Sequence, residues 1–193
     1  MICYLVRHGK DDDTVRGGWS QQSLTDAGKA QADELANFVQ KSDLEIKHIY
    51  SSDLLRAMQT AQPVSDKLHL PVIPMPEFRE VNNGNLAGMK NDLARKMYPG
   101  LYWNTLGWEQ RYPGGESPKE FYERISTAWD AFQKMVLEQN ENVLLVTHGG
   151  AINVILSIVN GEKYSNKTAL RKIRNTELIA LEYQGKVWIE QRG

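Results

Sequence analysis

The chain has 193 residues, enough for one domain with a sizeable core and too few for two comfortable ones. Hydrophobic residues make up 41% and charged residues 24%, an ordinary globular mixture that excludes disordered, collagen-like and disulfide-stapled chains. With 23 basic against 24 acidic residues, a net charge of -1, there is no global field to hold nucleic acid.

Residues 2–6 form a short apolar run with β-branched members and predict a buried strand. It turns basic at Arg7, too soon for a signal-peptide core. The single cysteine, Cys3, lies inside this strand and reads as a small core residue. It fits a reducing compartment, so the expectation is a cytoplasmic protein. No later apolar run approaches the roughly 20 residues that span a bilayer. Thr25-Asp26 opens a helix whose apolar stripe is Ala27, Ala32, Leu35, Ala36 and Val39. Ile46 to Tyr50 predicts a second strand, and Leu54 to Leu68 a second helix with a kink at Pro63. Pro71 to Pro74 is a short extended piece. Residues 84–116 break the rhythm, with a short helix over Asp92 to Met97 and then Tyr98, Tyr102, Trp103, Trp108 and Tyr112. They read as a lid-like insertion within one domain, 1–193. Ser117-Pro118-Lys119-Glu120 combines a capping box with proline at the first helical position, predicting a helix to about Glu138. Val143 to Thr147 is a strongly apolar strand, followed by a helix over Ala151 to Val159. Leu178 to Tyr183 and Lys186 to Glu190 close the chain as a hairpin around Gly185. Strands alternating with helices predict a three-layer α/β/α sandwich, its central sheet mainly parallel with an antiparallel edge strand.

In such sheets ligands bind beyond the carboxyl ends of the strands. The first strand ends in Arg7-His8-Gly9, the second in Ser51-Ser52-Asp53 with Arg56 one turn on, and the strongest in His148-Gly149-Gly150. Two arginines and two histidines thus fall where they can converge, and the helix after Gly150 offers free amides to an anion. Arginine forks match phosphate oxygens, and a histidine among them can act as nucleophile or acid–base. The combination predicts a phosphate pocket.

At these residues the sequence resembles the histidine phosphatase superfamily, in its phosphoglycerate-mutase-like branch. Arg7-His8-Gly9 follows the first strand as in that family. Leu24-Thr25 with Gly28 and Gln31-Ala32 is similar to its first-helix signature, and Ser51-Asp53-Leu54-Arg56-Ala57-Thr60 to its second motif. Phe78-Arg79-Glu80 with Gly84 and Gly88 looks like the acid-bearing loop. Pro113-Gly114-Gly115-Glu116-Ser117 resembles the long-helix entry, and Thr147-His148-Gly149-Gly150 the final motif. The resemblance implies that His8 is the nucleophile of a phosphohistidine intermediate, that Arg7, Arg56, His148 and Gly149 hold the phosphoryl group, and that Glu80 donates the proton. Four histidines, one thiol and no paired ligand spacing argue against a structural zinc site; neither metal nor cofactor is expected, and the expected partner is a small phosphorylated substrate, with neither nucleic acid nor membrane. Oligomeric state is left open.

Two departures stand out. The loop after Gly9 carries Lys10 and then Asp11-Asp12-Asp13-Thr14, where many relatives have an asparagine that helps hold phosphate, and Arg16 is the candidate substitute. Asn153 stands where many relatives have arginine. Glu77 and Glu116 are rival acids, read as a surface loop and a turn. His48 and His69 are read as doing no chemistry. Trp19, Trp103 and Trp108 are candidate substrate contacts, with a packing cluster as the alternative for the two in the insertion. The aspartate run either sits near the nucleophile, disfavouring a highly charged anion, or faces away as a solvated loop.

The expected function is a phosphomonoester hydrolase acting on a small metabolite. The alternative is a phosphoglycerate mutase, followed by a protein phosphatase or a non-catalytic phospho-ligand binder. A magnesium-dependent phosphatase using the aspartate run fits less well, because no Asp-x-Asp-x-Thr directly follows a strand.

Overall fold

A computed structural model describes residues 1–168 and 171–191. The strands are β1 (Ile2–Arg7), β2 (Ile46–Ser51), β3 (Val72–Pro74), β4 (Asn142–Thr147), β5 (Leu178–Gln184) and β6 (Val187–Gln191). The helices are α1 (Asp26–Lys41), α2 (Leu55–Leu68), α3 (Asn91–Met97), α4 (Pro118–Gln139) and α5 (Gly149–Val159). The sheet runs β3-β2-β4-β1-β5-β6. β1, β2, β3 and β4 are mutually parallel. β5 runs against β1, and β6 against β5. The closing turn places Gly185 and Lys186 both at positive φ, the backbone that a tight two-residue hairpin turn requires.

Period-2 alternation builds the three layers. On β1 and β4, Cys3, Leu5, Val143 and Leu145 pack on one face with Phe121, Ile125 and Trp129 of α4 and Ile152 and Ile155 of α5. Tyr4, Val6, Leu144 and Val146 pack on the other with Leu35 of α1 and Ala57, Ala61 and Val64 of α2. The expected α/β/α sandwich is the observed one.

Local signals set the helix starts. Thr25 accepts from Gly28 N at 3.1 Å, and Ser117 and Glu120 complete a reciprocal capping box at α4. Pro63 is carried inside α2 without ending it. α5 begins two residues earlier than expected, at Gly149, because His148 stays extended as its cap. Both glycines therefore belong to the helix's first turn, beside the strand ends.

The insertion over residues 84–116 has a small core of its own, Leu86, Leu106 and Tyr112. Trp103 ties it to the domain, edge-on to Phe121 of α4 with ring centroids 5.5 Å apart.

Candidate active site

Because β2, β4 and β1 are neighbours in the sheet, their carboxyl ends deliver Ser52, His148 and His8 side by side. The pairing of β1 with β4 continues one residue past the strand, where His8 N donates to Thr147 O at 2.9 Å. Gly9 N then donates to Thr60 Oγ1 at 2.9 Å, and Thr60 in turn donates to Arg56 O. A Cβ on Gly9 would stand 2.6 Å from Gly28 O, so glycine here lets α1 close against the loop. Asn175 Nδ2 holds His8 O from the far side at 2.9 Å.

His8 is buried, and its Nδ1 lies 2.7 Å from Gly9 O. A carbonyl only accepts, so Nδ1 carries the hydrogen and Nε2 the lone pair. Burial, then the Arg56 charge, pushes the His8 pKa down to about 3. Its ring is therefore neutral at physiological pH. Arg56 Nε donates to His8 Nε2 at 3.3 Å, while its other nitrogens donate to Ser20 O and Gly18 O at 3.0 and 2.7 Å.

His148 lies ring-to-ring 5.1 Å from His8. It too is held well below the usual histidine pKa, by burial and then by the Arg56 charge. Its Nε2 is 2.8 Å from Ser52 Oγ, which also accepts from Leu54 N. With the Ser52 hydroxyl as donor to Nε2, the ring hydrogen sits on Nδ1. That Nδ1 is buried without a partner, as is Nε of Arg7; Arg7 spends one terminal nitrogen on Ile173 O at 2.6 Å. Two buried polar groups without partners beside a neutral histidine are what an anion-binding site leaves unfilled.

Glu80 accepts from Gly150 N at 3.0 Å and from Val81 N at 3.1 Å. A Cβ on Gly150 would run into the Glu80 carboxylate. The loop carrying Glu80 is fixed from behind by Arg124, a residue the sequence reading missed. Arg124 donates to Glu77 O, Arg79 O and Glu80 O while pairing with Glu116. The rival acid Glu116 is thereby committed to an ion pair. Arg79 forks onto Asp53. Trp19 is spent on support as well: its indole donates to Glu80 O at 2.7 Å, and Arg79 stacks over its ring at 4.8 Å.

A sequence profile described as the Histidine phosphatase superfamily (branch 1) matches residues 3–192. The chain belongs to the histidine phosphatase superfamily. As a histidine phosphatase family member it is 34% identical to the "Probable phosphoglycerate mutase GpmB" of Erwinia tasmaniensis, over 96% of this chain and 86% of that protein. It is 31% identical to the "Uncharacterized phosphatase PhoE" of Bacillus subtilis, over 83% of this chain and 77% of that one. Among solved structures, a mycobacterial glucosyl-3-phosphoglycerate phosphatase superposes with a TM-score of 0.81 at 24% identity, over 98% of this chain and 96% of that one. The alpha-ribazole phosphatase of Shigella flexneri superposes at 0.82 and 23%, over 99% and 95%. Both structural likenesses show the shared fold.

Two lobes open from this family site, and they share Arg7 and Glu80. One, of about 390 Å³, is bordered by His8, Asp11, Asp12, Asp13 and Arg16. The aspartate run therefore faces the cleft, with Asp11 Oδ2 3.4 Å from Arg56 Nε. Arg16 sits 4.6 Å over the Tyr102 ring with its Nε buried and unpartnered. The other lobe, of about 410 Å³, is bordered by Trp103, Gly149, Gly150, Asn153, Tyr164 and Lys172. Asn153 bridges Gly149 O and Arg171 O at 2.8 and 3.1 Å, tying α5 to the segment that walls this lobe. Trp108 borders neither lobe but a neighbouring cavity with Tyr122, which shares Tyr164, Ser165 and Asn166 with the second lobe. No group of three or more His, Cys, Asp or Glu side chains suited to a metal ion occurs among the described residues. No helix among them is long and apolar enough to cross a membrane.

Proposed function

We propose that this chain is a metal-independent phosphomonoester hydrolase that acts on a small phosphorylated metabolite through a phosphohistidine at His8. The observation that carries this reading is the state of the two buried imidazoles. His8 is neutral, with Nδ1–H spent on Gly9 O and its lone pair on Nε2, while His148 Nδ1 and Arg7 Nε stand beside it without partners.

In the first half-reaction His8 Nε2 bonds to phosphorus as the bond to the leaving oxygen breaks, and Glu80 gives that oxygen its proton. Arg7, Arg56, His148 Nδ1–H and the amide of Gly149 stabilise the equatorial oxygens. Arg56 Nε–H passes from His8 Nε2 to the phosphoryl group on binding, which frees the lone pair. In the second half, water attacks phosphorus, the Glu80 carboxylate takes its proton, and the phosphorus–nitrogen bond returns its electrons to Nε2. Arg16 is included as a substrate contact, and Trp103 as a wall of the leaving-group side.

Asp11 beside Arg56, with Asp12 and Asp13 on the rim, supports hydrolysis over mutase chemistry, since carboxylates there repel a doubly phosphorylated intermediate. The mutase reading is favoured by the name of the relative at 34% identity. The two separate on 3-phosphoglycerate: we expect release of inorganic phosphate, and isomerisation far faster than phosphate release would overturn the hydrolase. The cytoplasm belongs to the same proposal, supported by the single, buried, unpaired thiol of Cys3.

A further inference from the structure

Asp11 is held beside the guanidinium of Arg56 that contacts His8. Its backbone forms an antiparallel bridge with Leu24. The residue before it is pinned twice, Lys10 N donating to Gln31 Oε1 at 2.8 Å and Lys10 O accepting from Thr25 N at 2.9 Å. The carboxylate is thus placed by the fold rather than carried on a free loop. Its Oδ2 lies 3.4 Å from Arg56 Nε, the same N–H that lies 3.3 Å from His8 Nε2. The attacking nitrogen and a carboxylate oxygen therefore share one guanidinium edge.

A phosphoryl group brought to His8 Nε2 takes over that edge, and one of its oxygens then comes beside Asp11 Oδ2. Two negatively charged oxygens so close repel, and the site is too enclosed for solvent to screen them fully, with the Asp11 side chain 21% and that of Arg56 2% exposed. One proton on the phosphoryl oxygen removes the conflict and turns it into a charge-assisted hydrogen bond to the carboxylate. The second ionisation of a phosphate monoester lies near about pH 6, so substrate arrives in both protonation states around neutrality. We propose that Asp11 makes this cleft selective for the monoanionic phosphoryl group by accepting a hydrogen bond from its P–OH. This rests on the reading of the cleft as a phosphoryl site and adds to it a choice of substrate protonation state.

The charged and titratable groups that line the lobe with Asp11 come from four elements, and Lys90 lies behind the loop, bridged to it at Val15. Asp12, Asp13 and Arg16 come from its own loop, His8 and Arg7 from β1, Arg56 from α2 and Glu80 from the loop behind. His8, with its pKa near 3, stays neutral across the range of interest, and burial and the Arg56 charge hold His148 well below the usual histidine range. Asp12 is held below the usual carboxylate range by hydrogen bonds from Thr14.

The test is calorimetric binding of inorganic phosphate between about pH 5.5 and about pH 8.5, spanning monoanion and dianion. Wild-type affinity is expected to fall as pH rises. Asp11→Asn, whose amide can donate to a dianion, is expected to bind about tenfold more tightly than wild type at the upper end, the gap narrowing as pH falls. Parallel curves, or weaker binding by the variant at every pH, overturn the inference. A second measurement needs no variant: the falling limb of wild-type kcat/KM should lie at lower pH for an aryl phosphate than for the less acidic alkyl phosphate. Limbs at the same pH also overturn it. A wild type that binds phosphate with the expected slope and hydrolyses no monoester sinks the hydrolase reading alone. His8-dependent hydrolysis with parallel binding curves sinks this inference alone.

Discussion

The lobe beside the amino-terminal loop and the lobe walled by Trp103 and Tyr164 meet at Arg7 and Glu80, yet they are lined by different chemistry. The first contains His8, the proposed nucleophile, with three aspartates and Arg16. The second lacks His8 and is walled by Trp103, Tyr164, Ile173 and Lys172, with Glu80 as its sole acid among the described residues. In-line displacement puts the leaving group opposite the nucleophile, so on the proposed mechanism the leaving group departs into the second lobe, where Glu80 can protonate it. The contrast separates two tasks. On the proposed mechanism the acidic lobe selects which phosphoryl group reaches His8, and the aromatic lobe selects what that phosphoryl group is attached to.

The sharpest way to disturb the junction between the lobes is Gly150→Ala. Alanine favours the helix by about 1 kcal/mol over glycine, but its methyl group meets the Glu80 carboxylate. Stability should hold while kcat falls about a hundredfold, as expected for a reacting group displaced by about an ångström. Unchanged kcat with a properly folded variant would remove Glu80 from the chemistry.

A smaller effect tests the aromatic lobe. Trp103→Ala should lower kcat/KM about tenfold for a phosphate ester with a bulky leaving group relative to a small one, the worth of roughly one good ring contact. Trp108→Ala should leave that ratio where it was, because Trp108 lines a different cavity. Equal shifts from both variants would erase the distinction between the two cavities.

A third effect is on stability rather than on rate. The unfolded chain protonates His8 near pH 6.5, whereas the folded chain resists down to about 3. The stability tied to a neutral His8 is therefore complete above the ordinary histidine pKa and is lost as pH falls from there towards 3. His148 adds to the loss in the same direction. In a thermal-melt series from about pH 7 to about pH 4, His8→Gln should melt with a shallower acid slope than wild type. Identical slopes would mean that His8 is not held neutral by its surroundings.

How much of this was legible before folding follows from the range of each signal. Helix starts at Thr25 and Ser117 were readable because a cap is a contact across three residues. The apolar runs of β1 and β4 were readable as buried strands, while the layer that each side chain joins is set by packing against helices distant in sequence. His8, Arg7, Arg56 and His148 converge as expected, since a parallel sheet puts its strand ends along one edge and only neighbour order was missing. Arg124 and Asn175 left no signal, because their partners are backbone carbonyls 44 to 47 and 167 residues away. The direction of the aspartate run was open in the sequence and is decided by the bridge to Leu24. Trp103 and Trp108 look alike in composition, and turns within the insertion send them to different cavities. Trp19, a candidate substrate contact by position, has its indole N–H committed to Glu80 O.

The central claim is that phosphate passes through His8. Rapid quenching of the enzyme with a phosphorus-labelled monoester, under alkaline conditions that preserve phosphohistidine, tests it directly. The account predicts acid-labile label on the peptide containing His8 in wild type and none in His8→Ala. Label on another residue, or hydrolysis by His8→Ala at an undiminished rate, would contradict it.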